Sequence, residues 1–119
     1  MKILVLGANS RLGPYVVQSN QERHTLRLAD VTEVASDHHE TCTVDLGSPD
    51  DVLAAAEGMD AIVNCTVERR DPRRAFDVNT RGCFNMMRAA VDQGVKRVIN
   101  TGPHFAVAGP SYETFDTAM

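Results

Sequence analysis

Gly7, Gly13 and Asp30 are the residues whose types and spacing in this chain could do chemistry. An apolar run, Ile3 to Leu6, enters a turn at Gly7, and Gly13 follows six residues later inside what reads as a helix opening. A strand that turns on glycine into a helix N-terminus points backbone N–H groups at an anion, and the helix dipole favours negative charge there. Gly7 supplies the turn, and Gly13 lets the helix lie close to the strand. The residues between them, Asn9, Ser10, Arg11 and Leu12, would then cradle a phosphate, with Ser10 standing in for the middle glycine of the usual fingerprint. Asp30 ends a second apolar run, 23 positions after Gly7. That is about the spacing at which an acid meets the adenosine ribose of NAD. A carboxylate there accepts hydrogen bonds from both ribose hydroxyls and repels a 2′-phosphate, which favours NAD over NADP. Arg11 pulls the other way, because an arginine in this turn can reach a 2′-phosphate. The alternative is an ordinary strand–turn–helix followed by a solvated acid.

These residues need a scaffold of alternating strands and helices, and the pattern supplies one. Strands are predicted at about 2–6, 24–29, 41–44, within 60–67, and at 95–101. A helix of about 12–20 follows the first. The stretch 31–41 is polar and reads as loop. Ser48-Pro49-Asp50-Asp51 is a helix start, with a capping serine, a first-turn proline and acids that suit the dipole; that helix ends near Gly58. Asp71-Pro72 opens a long helix that reaches about Gln93 and stops at Gly94. Along it, Phe76, Cys83, Met86, Met87, Ala90 and Val91 are spaced to pack into a core. Five short apolar strands separated by helices predict an α/β fold, a doubly wound parallel sheet. Right-handed crossovers give the order 3-2-1-4-5, with a ligand crevice at the carboxyl ends of strands one and four.

Composition narrows the function further. At 119 residues the chain is one domain with room for a core. A net charge of −4 offers no footprint for nucleic acid or an anionic membrane, and no apolar run approaches a membrane span. Met1-Lys2 leads straight into the first strand, so no signal peptide is expected and the protein reads as cytoplasmic. Cys42, Cys65 and Cys83 then read as reduced thiols. No metal is expected: Asp37-His38-His39-Glu40 with Cys42 lacks a ligand spacing, since adjacent histidines on a loop seldom converge. Arg69, Arg70, Arg73 and Arg74 crowd the loop after strand four and read as a solvated helix start, with the capacity to hold a phosphorylated substrate or the pyrophosphate.

In sum of motifs the chain resembles the extended short-chain dehydrogenase/reductase family, the NAD-dependent epimerases and dehydratases, across roughly residues 2–109. Leu6 to Gly13 looks like that family's glycine-rich turn and Asp30 like its ribose-binding acid. Asp45-Leu46 resembles its adenine contact, and Asn64-Cys65-Thr66-Val67 its small-residue segment beside the cofactor. Val78-Asn79-Thr80-Arg81-Gly82 resembles its Asn-x-x-Gly helix motif, which implies a structural or proton-relay role for Asn79. The resemblance implies a Rossmann domain over 1–119, an oxidoreductase or sugar-nucleotide epimerase activity, a phosphorylated or nucleotide-sugar substrate, and a homodimer through the 72–93 helix or the edge of strand five.

Two departures bear on catalysis. The family's active site uses a Tyr-x-x-x-Lys pair, in which lysine lowers the tyrosine pKa. Here the lysines are Lys2 and Lys96, both preceding strands and so at the wrong end of the sheet, while Tyr112 is followed four positions on by Asp116. In the family the pair falls beyond the position of Met119, so the chain is expected to be the front part of a longer enzyme and inactive alone. Where the family carries a serine after strand five, this chain has Gly102-Pro103, with Thr101 the nearest hydroxyl and His104 the nearest imidazole. The alternative reading is a non-catalytic dinucleotide-sensing or interaction module.

Overall fold

Strand β1, Lys2–Leu6, lies at the centre of the sheet, and its alternating side chains divide the core in two. Leu4 and Leu6 face one side, with Ala29, Val44, Val52, Ile62 and Met86; Ile3 and Val5 face the other, with Leu26, Leu28 and Val34. The structure, a computed structural model, describes residues 1–102. The remaining strands are β2, Thr25–Asp30; β3, Glu40–Thr43; β4, Ala61–Asn64; and β5, Arg97–Asn100. All pair in parallel, in the order β3-β2-β1-β4-β5. The predicted doubly wound α/β sheet is therefore the observed one. Continuous apolar runs at Ile3–Leu6 and Ala61–Val63 suit strands buried on both faces.

The helices are α1, Gly13–Asn20; α2, Pro49–Ala56; and a rod that begins as α3, Pro72–Ala75, widens into a π-helical segment at Phe76–Arg81, and continues as α4, Gly82–Asp92. Helix α1 covers the Ile3/Val5 face through Val16 and Val17, while α2 and α4 cover the Leu4/Leu6 face. Ser48 caps α2 by accepting from the Asp51 amide, and Asp71 caps α3 by accepting from the amides of Arg73 and Arg74. Arg27, on β2, pairs with Glu40 on β3 at 2.9 Å. It also donates to the carbonyls of Ala55 at 2.7 Å and Glu57 at 2.9 Å, so a cation tethers the C-terminal end of α2 to the sheet.

The apolar stripe predicted along the last rod needs correction. Met86 and Ala90 are buried and Cys83 is half-buried, but Phe76, Met87 and Val91 are 62, 54 and 77% exposed. The inward face is instead Val78, Gly82, Asn85, Met86, Ala89 and Ala90. A β-carbon at Gly82 would lie 2.8 Å from that of Leu46, and Asn85 Nδ2 donates to the Leu46 carbonyl at 2.8 Å. A glycine and an asparagine thus occupy the face that apolar spacing assigned to larger residues. The π segment compounds the shift, because its wider turn breaks the period read across it.

Candidate functional site

The carboxyl ends of β1, β2 and β4 converge on a cavity of about 250 Å³. Gly7 turns the chain out of β1 with φ +77°, and its amide and that of Ala8 both donate to the Ala29 carbonyl, at 2.8 and 3.0 Å. A β-carbon at Gly7 would sit 2.8 Å from the Thr66 nitrogen, so glycine is needed for conformation and for the approach of the β4 exit. A β-carbon at Gly13 would lie 2.4 Å from the carbonyl oxygens of both Gly7 and Ala8. Gly13 is therefore what lets α1 start against the turn.

Inside the turn most amides already have acceptors. Ser10 donates to the Gly7 carbonyl at 3.0 Å, Gly13 to Ser10 Oγ at 3.1 Å, and Asn9 to Asp30 Oδ2 at 2.9 Å. The amides of Arg11 and Leu12 have no protein acceptor among the described residues. They stand at the N-terminal end of α1, where an anion is favoured.

Of the residues singled out in the sequence, Gly7, Asn9, Ser10, Asp30, Asp45, Leu46 and Thr66 line this one cavity. Arg11, Leu12, Gly13, Asn64 and Cys65 do not line it. Ser10 Oγ accepts from the Gly13 amide, inside the turn. Asn64 is 2% exposed and braces the end of β4: its Oδ1 accepts from the Thr66 amide at 3.0 Å, and its Nδ2 donates to Asn100 Oδ1 at 2.8 Å. Cys65 is buried in the packing, and burial raises its thiol pKa. Thr66 Oγ1 is a buried hydroxyl without a partner among the described residues, in a residue that lines the cavity. An unsatisfied buried hydroxyl costs stability, and a polar ligand in the cavity would satisfy it.

The sequence did not single out Thr32 or Glu68, which also line the cavity. Thr32 lies two residues after Asp30 and donates to it from its amide and its hydroxyl. Its signal was a hydroxyl next to the ribose-type acid. Glu68 accepts from the amides of Arg70 at 2.7 Å and Arg69 at 2.8 Å. The Arg70 amide above all, helped by those of Arg69 and Asp71 and by the charge of Arg74, holds its carboxyl below the ordinary glutamate value. Arg74 lines the cavity and stands 4.0 Å from Asp45 Oδ2, whereas all four arginines of the cluster are exposed.

Asn79 grips the same loop with both ends of its side chain. Its Oδ1 accepts from the Glu68 amide at 3.0 Å and its Nδ2 donates to the Glu68 carbonyl at 2.7 Å. The geometry is that of a structural clamp, set in the π segment. Thr101 donates from its hydroxyl to the Asn64 carbonyl at 2.9 Å and does not line the cavity. Lys2 and Lys96 lie at the amino ends of β1 and β5, away from it. His104 and Tyr112 lie outside the described residues. Among the described residues no group of side chains is placed to hold a metal ion, and no helix is long and apolar enough to cross a membrane.

A parallel doubly wound sheet with a glycine turn, a free pair of amides and an acid at the end of β2 is the architecture of the Rossmann fold found in dehydrogenases. A profile of the NAD dependent epimerase/dehydratase family matches residues 3–117, and the chain belongs to that family. It is 36% identical over 105 residues to uronate dehydrogenase from Pseudomonas syringae pv. tomato, a match covering 82% of this chain and 38% of that protein. It is 30% identical over 122 residues to a 3-beta-hydroxysteroid dehydrogenase from Mycolicibacterium neoaurum, covering 91% of this chain and 33% of that protein. Among solved structures, a mutant uronate dehydrogenase from Agrobacterium tumefaciens complexed with NAD superposes with a TM-score of 0.73 at 29% identity, over 85% of this chain and 40% of that one. The chain thus spans well under half the length of the relatives it matches.

Proposed function

We propose that this chain is the NAD(H)-binding part of an oxidoreductase, and that its 119 residues bind the nucleotide without turning over a substrate. The observation that carries the reading is Asp30: its carboxylate is fixed to the glycine turn through the Asn9 amide and lies on the cavity that Gly7 and Thr66 share. The pyrophosphate is assigned to the free amides of Arg11 and Leu12, the adenosine ribose to Asp30, the adenine to the Asp45-Leu46 edge, and the Thr66 hydroxyl to the nicotinamide half. NAD, when bound, supplies the hydride acceptor. The cavity lining carries Asp30, Asp45 and Glu68 against Arg74, a balance of charge that disfavours a 2′-phosphate. This supports NAD over NADP in spite of Arg11.

Two relatives named for unlike substrates, a uronate and a 3-beta-hydroxysteroid, match this same stretch. What they share with the chain is therefore the nucleotide half. Acid–base help in hydride transfer is worth roughly 10²–10⁴-fold, and here no lysine reaches the cavity and the Thr101 proton is committed to Asn64. Calorimetric titration should show NADH binding more tightly than NADPH, with Asp30→Ala narrowing the difference, and no NAD reduction with uronates. Folded protein that binds neither nucleotide, or that reduces NAD unaided, would refute the corresponding half of the reading.

A further inference from the structure

Asn9 turns its side chain toward protein, and the bonds it makes run in one direction. Its Nδ2 donates to Thr32 Oγ1 at 3.0 Å and to the Glu33 carbonyl at 3.0 Å, which uses both amide protons. Thr32 Oγ1 in turn donates its single proton to Asp30 Oδ1 at 3.4 Å, and the Thr32 amide donates to the same oxygen at 3.3 Å. The Asn9 amide donates to the other oxygen, Oδ2, at 2.9 Å. Asp30 therefore holds three donors, where an ionised carboxylate accepts about four. Thr32 Oγ1 has accepted one bond and given one, which leaves it a single lone pair. What the side chains of Asp30 and Thr32 can still offer a ligand is one acceptor site each, with no proton to give. A ribose diol brings two donors to two acceptors. A 2′-phosphate brings acceptor oxygens and negative charge to two side chains that can only accept.

We propose that Asn9 is a positioning residue that sets the preference for an unphosphorylated ribose by acting through Thr32 on Asp30, an inference that rests on the dinucleotide reading above. Asn9 fixes the rotor of the Thr32 hydroxyl. Without it the hydroxyl is free to turn and donate to a phosphate oxygen. Thr32→Val removes the hydroxyl at constant shape, and Thr32→Ser keeps it.

The test is the ratio of dissociation constants, Kd(NADPH)/Kd(NADH), measured by nucleotide fluorescence on the whole chain. Asn9→Ala and Thr32→Val should each lower that ratio about fivefold, the effect of one hydrogen bond, while Thr32→Ser keeps it within about twofold. In an Asp30→Ala background, Asn9→Ala should change the ratio no further. If Asn9→Ala and Thr32→Val weaken both nucleotides equally and leave the ratio unchanged, Asn9 is only a structural brace and the inference is overturned while NAD binding stands. A wild-type chain that binds neither nucleotide overturns the dinucleotide reading and this inference with it.

Discussion

One methyl group tests the glycine turn. At Gly13 the neighbours of an added β-carbon are two backbone carbonyl oxygens at 2.4 Å, which cannot swing aside as a flexible side chain could. Gly13→Ala must displace the start of α1 or the turn itself, and should cost about 2 kcal/mol or more, read as a drop in Tm, together with weaker NADH binding. An unchanged Tm would show that the close approach of α1 is not needed. The turn at Gly7, the close approach at Gly13 and the place of Asp30 at the end of β2 were legible in the sequence because each depends on one residue type at a fixed spacing. The contacts of Ser10 and Thr32 were not, because they depend on which atoms each side chain meets in the fold. Ser10 meets Gly13, and Thr32 meets Asn9 and Asp30.

Between β4 and α3 the loop is held by a reciprocal set of bonds, with Glu68 accepting from the loop's own amides and Asn79 gripping the Glu68 backbone. The Glu68 pKa is lowered, so the ionised form is the one bound in the folded loop. Its contribution is full above the ordinary glutamate value and is lost as pH falls below that, through the lowered value. An acid titration followed by the Arg70 amide resonance should show its shift midpoint below that of an unstructured glutamate, and Glu68→Gln should remove the titration. A midpoint at or above the unstructured value would contradict this arrangement. The strands and α1 and α2 were readable from apolar runs, caps and glycine stops. The inward face of the last rod was not: a period of apolar residues cannot register that Gly82 and Asn85 turn inward, or that the π segment at Phe76–Arg81 shifts the phase.

For the molecule as a whole, sheet order follows from alternation of strand and helix with right-handed crossovers, and the observed order β3-β2-β1-β4-β5 agrees. That order opens the crevice between the ends of β1 and β4, where Gly7 and Thr66 meet. The order was legible because it needs only element types. The cavity's contents were legible only in part, since Thr32 and Glu68 reach it from loops whose paths no local pattern dictates. The most direct check is an NAD titration of the isotopically labelled chain, followed by backbone amide shifts. The account predicts saturable shifts centred on Gly7, Arg11, Leu12, Asp30, Asp45 and Thr66, with the Arg11 and Leu12 amides moving most as they gain an acceptor. Shifts centred elsewhere, or none in the folded chain at saturating NAD, would contradict it.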